Sequence, residues 1–305
     1  MSCSDLLPDS VEHWTVRFFP EKVVPYIQLT RLDRPAGWWL LLLPCWWSLA
    51  LATPFQSWPD FYYLFLFWVG AVVMHGAGST YNDILDRNLD AQVHRSASRP
   101  LPSGRVSVLQ AIIYLGFQCA IGLLVLCQFD SFSIFLGFSS MGIVALYPLM
   151  KRFFAFPQLI LGSVFSWGGL MGWSVIHHSL GLPALWMYLS AFMWTIGFDT
   201  IYALQDIEDD RSAGIRSSAQ LFGSRLVLCV ALCYLLSVLF AAGSLYATQT
   251  GMIGWTGLAA FSIHLSWQIS RLRNVDEKIA LFLFRSNRDA GLLLFLALVL
   301  DRAFY

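Results

Sequence analysis

Charge is what this sequence has least of. Asp, Glu, Lys and Arg make up 12% of its 305 residues, against roughly a quarter in an ordinary soluble domain, which excludes water as the main solvent of the fold. The charge that exists cancels: nineteen basic residues meet nineteen acidic ones, so no bulk field draws the chain to nucleic acid. Cysteine is sparse and unpatterned. Cys3, Cys45, Cys119, Cys127, Cys229 and Cys233 show no metal-ligand spacing, and five of them sit in apolar runs, where a thiol behaves as a small hydrophobe. Neither a disulfide framework nor a zinc site is expected. The first 36 residues lack an apolar core behind a basic start, and they carry Asp5, Asp9, Glu12 and Glu21. That pattern speaks against a secretory signal and against an Arg-rich, acid-poor mitochondrial presequence. The expected setting is a bacterial inner membrane, with a trimmed protein of the mitochondrial inner membrane as the alternative.

What is abundant is apolar surface, 57% of residues, gathered into runs. Spanning a bilayer takes roughly 20 apolar residues as helix, and nine runs approach that length, at about 37–54, 60–82, 107–128, 131–150, 157–178, 183–204, 224–248, 251–270 and 289–305. The chain is therefore expected to be all-α: a polytopic membrane protein with a cytoplasmic N-terminal segment over 1–36 and one nine-span domain over 37–305. Basic residues test this map, because short Lys- and Arg-bearing loops stay on the cytoplasmic side. The connections 55–59, 129–130, 179–182 and 249–250 contain none. Every basic residue except Arg302 falls on the other side, as nine spans with the N-terminus inside require.

Two acidic clusters stand at the basic-rich face. In the first, Asn82, Asp86 and Asp90 are spaced four apart, with Asp83 beside them. Four residues of helix keep side chains on one face, about 6 Å apart along the axis. In the second, Asp206 and Asp210 repeat the interval, and Tyr202 occupies the position matching Asn82. Like charges at this spacing destabilise a bare helix. A divalent cation offsets them, and Mg²⁺, a hard ion, takes one or two carboxylates and completes its shell with water and substrate phosphate oxygens. Basic neighbours reinforce the inference of a phosphorylated substrate: Arg87, Arg95 and Arg99 after the first cluster, Arg211 and Arg216 after the second, and Lys151 and Arg152 between them. A solvated, charged helix end is the bland alternative, and repetition beside a membrane argues against it. A faint match between HRSASRPLPSG at 94–104 and the GIRSSAQLFGS stretch suggests an internal duplication around a shared cavity.

RLDRPAG at 31–37, NDILDRNLD at 82–90, YPLMKRFFAFPQ at 147–158 and YALQDIEDDRSAGIRSSAQLFG at 202–223 together resemble the UbiA-type intramembrane prenyltransferases. The resemblance implies nine helices around a central cavity, Mg²⁺-dependent binding of a polyprenyl diphosphate, and prenylation of an aromatic ring; YPLMKR and GIRSSAQLFG favour the branch whose acceptor is 4-hydroxybenzoate. It further implies that Asn82, Asp86, Asp90, Asp206 and Asp210, with Asp83 as a further candidate, bind the metal-diphosphate. By the same resemblance, Lys151 and Arg95 contact phosphate, and Tyr147, one helical turn before Lys151, lies near the reacting allylic carbon. Arg34 and Arg152 compete for the acceptor carboxylate, which an arginine can hold bidentately. Asp199, an ionisable residue inside a span, is a candidate ring-proton base.

The remaining chemistry-bearing residues fit packing roles. His75, His177, His178 and His264 lack ligand spacing, and the small residues Gly76, Gly78, Ser79, Gly162, Ser163, Gly168, Gly169 and Gly172 are expected at close helix contacts. A transporter would place its charges near midplane, whereas here they gather at span ends. The expected partners are the two substrates and the lipid bilayer, and no feature calls for a protein partner.

Overall fold

The computed structural model describes residues 17–91, 96–153, 156–207 and 218–305, and among them every regular element is helical. The helices are α1 (Val24–Leu29), α2 (Ala36–Ala52), α3 (Phe61–Asp90), α4 (Val108–Leu126), α5 (Ser131–Phe153), α6 (Gln158–Ser166), α7 (Gly168–His177), α8 (Leu182–Tyr202), α9 (Ser218–Phe222), α10 (Leu226–Ala247), α11 (Met252–Arg271) and α12 (Glu277–Phe304). Each predicted apolar run coincides with one of these or with a pair. Among the described residues, four stretches are both long and apolar enough to cross a membrane: Phe61–Asn88, Val108–Leu126, Gln158–His177 and Ser218–Ala247. Ala36–Ala52 and Ser131–Ala145 are apolar but shorter.

Two runs differ from expectation. The run at 157–178 is broken at Trp167, whose amide reaches back three residues to Val164 O at 3.3 Å while its indole donates to Leu136 O at 3.0 Å. The last run is much longer than its apolar part. Asp276 accepts from Ile279 N at 2.7 Å, an N-cap that starts the helix twelve residues before the apolar stretch, through Lys278, Arg285, Arg288 and Asp289.

The chain forms two compact units, one from Trp68–Gln128 with the segment ending at Trp39, the other from Leu40–Phe67 with Phe129–Tyr305. In the first, α4 begins at a capping box, Ser107 and Gln110 each accepting the other's backbone N–H. Leu29, Leu101, Val106 and Ala111 form its core, with Tyr26 edge-on to Tyr114 at 5.1 Å.

The larger unit is built on aromatic packing whose most buried indoles are hydrogen-bonded, as an interior without water favours. Trp47, Trp194 and Phe261 pack with ring centroids 4.9–6.0 Å apart. The Trp47 indole donates to Gly291 O and the Trp194 indole to Asn287 Oδ1, both at 2.8 Å. Helix α7 lies against α2 with no side chain between: a Cβ on Gly172 would stand 2.2 Å from Cys45 O and 2.7 Å from Leu49 N. Small-residue packing is thus realised at Gly172. It is not at Gly78, whose Cβ position has nothing within 4 Å.

Arg302, the exception to the charge pattern, is 3% exposed. Its guanidinium lies 4.3 Å from the centroid of the Phe55 ring and donates to Thr248 O at 3.3 Å. Beside it, the Asp301 carboxylate accepts from Gly251 N and Gly254 N at 2.9 and 3.0 Å. The carboxylate caps the start of α11.

Candidate functional site

Helix α3 carries the first acidic cluster at its end. By register Asn82, Asp86 and Asp90 step about 40° apart around the axis, while Asp83 and Asp90, seven residues apart, lie within about 20° of each other and form a second row. The second row is the more enclosed, with Asp83 fully buried and Asp90 14% exposed.

Two arginines hold that row. Arg31 Nη2 donates to Asp83 Oδ1 at 2.7 Å and Arg31 Nη1 to Gln28 O at 2.9 Å. Arg99 Nη1 donates to both oxygens of Asp90 at 2.9 Å and stands 3.5 Å from Asp83 Oδ1. The loop bearing Arg99 is tied down as well: Ser96 Oγ donates to Asp90 O at 2.9 Å, Ser103 Oγ to Arg99 O at 2.6 Å, and Val106 N to Pro100 O at 3.0 Å.

Arg31 occupies an uncommon backbone position. Leu32 N bonds to Ile27 O and Arg31 N to Gln28 O, both at 3.2 Å, the double bond of a Schellman motif closing α1. Its left-handed residue is usually glycine, yet here it is Arg31, with φ of 57°. Arg34 Nε lies 3.4 Å from Oδ2 of the buried Asp33.

Burial is the main electrostatic influence here. It raises the Asp90 carboxyl above its ordinary range, with the like charges of Asp83 and Asp86 adding to it and Arg99 opposing it. Burial likewise lowers the Arg31 guanidinium, against the pull of Asp83. A cation would relieve the first effect, since positive charge beside a carboxylate favours its ionised form. The donor set of Asn82, Asp86 and Asp90 is all hard oxygen, as Mg²⁺ requires. Among the described residues no three His, Cys, Asp or Glu side chains converge on one point, so a metal here would complete its shell with water and substrate oxygen. On donor chemistry and charge, these residues fit Mg²⁺.

The second cluster differs from the first. Helix α8 ends at Tyr202 and continues as a 3₁₀ turn, Ala203–Asp206. The α-helical register behind the expected Tyr202–Asp206 spacing therefore stops at Tyr202. Tyr202 packs instead on Phe284, ring centroids 4.6 Å apart. Asp210 and Arg95 lie outside the described residues. Tyr147, Lys151 and Arg152 lie in the last turns of α5, with Tyr147 and Lys151 one turn apart, and Asp199 lies one turn before the end of α8.

The histidines make local contacts, as expected. His177 stacks on Trp173 at 4.2 Å, His178 Nδ1 is 3.4 Å from Asp130, His264 Nε2 is 3.2 Å from Ser286 Oγ, and the His75 ring lies against Gly37. What sequence reasoning missed is the pairing of Arg31 and Arg99 with the Asp83–Asp90 row. Seven-residue spacing between those acids was the available signal.

Comparison with known proteins agrees with this architecture. The model of the UbiA prenyltransferase family matches residues 41–288. A 4-hydroxybenzoate polyprenyltransferase, mitochondrial, from Drosophila melanogaster is 44% identical over 90% of this chain and 71% of its own length, and one from Arabidopsis thaliana is 41% identical over 95% and 72%. A UbiA homolog from Archaeoglobus fulgidus, solved bound to GPP and Mg²⁺, superposes with a TM-score of 0.67 at 18% identity, covering 90% of this chain and 99% of that one. The fold, the acidic end of α3 and the match over most of the chain lead to one conclusion: the chain belongs to the UbiA prenyltransferase family.

Proposed function

We propose that the chain transfers a polyprenyl group from polyprenyl diphosphate to the ring of 4-hydroxybenzoate, ortho to the hydroxyl, a step of ubiquinone synthesis. The observation that carries this reading is the buried, arginine-buttressed acidic end of a membrane-length helix, in a chain 44% identical to a protein of that name. Asn82, Asp86, Asp90, Asp206 and Asp210 would hold Mg²⁺ and the diphosphate. When bound, Mg²⁺ supplies electrostatic stabilisation of the departing diphosphate.

The chain's own residues do the rest. Lys151 and Arg95 offset phosphate charge, and Tyr147 presents an aromatic face to the allylic cation. Arg34 or Arg152 orients the acceptor through its carboxylate, and Asp199 is positioned in sequence to take the ring proton. Apolar helices accommodate the prenyl chain. The nine helical runs are taken to embed in a mitochondrial inner membrane, in keeping with the relatives' names, with the acidic clusters on the matrix side.

Purified protein supplied with 4-hydroxybenzoate, a polyprenyl diphosphate and Mg²⁺ should release diphosphate and form the 3-prenyl product, and a chelator should stop both. Turnover with a different quinone precursor, but not with 4-hydroxybenzoate, would move the chain to another branch of the family.

A further inference from the structure

Asp83 belongs to the acidic cluster by sequence, but its surroundings give it other work. We infer that Asp83 is a positioning residue, the buried counter-ion that fixes Arg31 and Arg99 beside the Asn82–Asp86 row, and that it is not a metal ligand. The inference rests on the diphosphate-binding reading above.

Three observations carry it. Asp83 is fully buried; its Oδ1 is occupied by Arg31 at 2.7 Å with Arg99 at 3.5 Å, and its Oδ2 is enclosed without a hydrogen-bond partner. It points about 60° and 100° around the helix axis from Asp86 and Asn82, into the row where Arg99 also clasps Asp90. Arg31 holds a left-handed backbone, φ 57°, at a helix end where glycine would sit without strain. A strained arginine persists when its surroundings over-determine it, and here the determinants are Asp83 and the carbonyl of Gln28. The result is a pair of guanidinium groups set in direction before any anion arrives. A preset donor loses less on binding than one that must be ordered.

The test uses the full chain in detergent, with inorganic pyrophosphate and Mg²⁺ as probes. Calorimetry gives pyrophosphate affinity and the Mg²⁺ concentration for half-maximal binding, for the wild type, Asp83→Asn, Arg31→Gly and Asp86→Asn. Arg31→Gly removes the guanidinium while suiting the backbone. Loss of a charge-assisted contact predicts roughly 10- to 100-fold weaker pyrophosphate binding in Asp83→Asn and Arg31→Gly, with the Mg²⁺ half-point moved less than about twofold. Turnover should show the same split, with KM for polyprenyl diphosphate rising more than kcat falls. In Asp86→Asn the Mg²⁺ half-point itself should rise. If Asp83→Asn raises it as far as Asp86→Asn does, Asp83 is a metal ligand and the inference is overturned.

A second readout separates this failure from failure of the functional reading. If Asp83 acts through Arg31, the thermal destabilisations of Asp83→Asn and Arg31→Gly are non-additive in the double variant; additive losses overturn the pairing whatever the protein binds. Wild-type protein that binds no pyrophosphate with Mg²⁺ overturns the functional reading, and this inference with it. Should Asp83→Asn not fold, Arg31→Gly alone decides, since weakened pyrophosphate binding at an unchanged Mg²⁺ half-point supports the inference and unchanged binding overturns it.

Discussion

Adding one methyl group at Gly172 tests how the larger unit is held together. The Cβ of Gly172→Ala would lie 2.2 Å from Cys45 O and 2.7 Å from Leu49 N, where ordinary contact begins at 3.4 Å. Both obstacles are backbone, so no rotamer change relieves them, and α7 must withdraw from α2 by about 1 Å. A gap of that size forfeits a quarter to a half of the dispersion attraction of each facing atom pair. It also strains the bond from Ser48 Oγ to Gly169 O, now 2.6 Å. Overpacking of this kind costs about 1–3 kcal/mol. The matched control is Gly78→Ala, where nothing lies within 4 Å and the helix gains about 0.5–1 kcal/mol from the better helix former. Thermal unfolding in detergent should therefore move in opposite directions for the two variants. If Gly172→Ala proves as stable as wild type, the direct helix contact described here is wrong.

Other substitutions probe separate features. Asp86→Asn and Asp206→Asn should each abolish prenyl transfer while leaving membrane insertion intact, as read by diphosphate release and by carbonate extraction; full activity in either would remove that residue from the site. Trp194→Phe leaves Asn287 Oδ1 buried without its donor, and should cost about 1–3 kcal/mol in the same thermal assay. Cysteines placed at Ser103 and Ser179, both exposed, should label with a membrane-impermeant reagent from opposite sides in a chain otherwise stripped of cysteine. Labelling from the same side would overturn the topology. Ser218 would be a poor reporter, since it is fully buried against Thr200 and Gln158.

Much of the fold was legible because apolar length is a strong signal in a chain that cannot be water-soluble. The start of α12 was not, since a search for apolar residues passes over Glu277, Lys278 and Arg285 even when a cap at Asp276 makes them helical. The change at Ala203 was equally hidden, as α and 3₁₀ turns share their residue preferences and four-residue spacing looks the same in both. Within the first cluster, spacing identified which carboxylates share a side of the helix. It did not identify which are buried, because Asp83 and Asp86 differ only in what packs over them. By sequence Arg31 is one more basic residue on the basic-rich side. Left-handed backbone is ordinarily announced by glycine, and no glycine stands there.

The clasp formed by Asp301 and Arg302 bears on how the protein is made. Both residues leave the ribosome after the segments they join, the turn at 248–254 and the connection bearing Phe55 and Ser57, whose amide bonds to Arg302 O at 3.2 Å. Those segments wait for the end of α12 to be synthesised and inserted before the start of α11 acquires its carboxylate cap. A nascent chain halted before residue 301 would hold its helices with that seam open. Closing the seam is thus a late event of assembly, carried by two adjacent residues of opposite charge that together contribute almost nothing to the charge a translocon would sense.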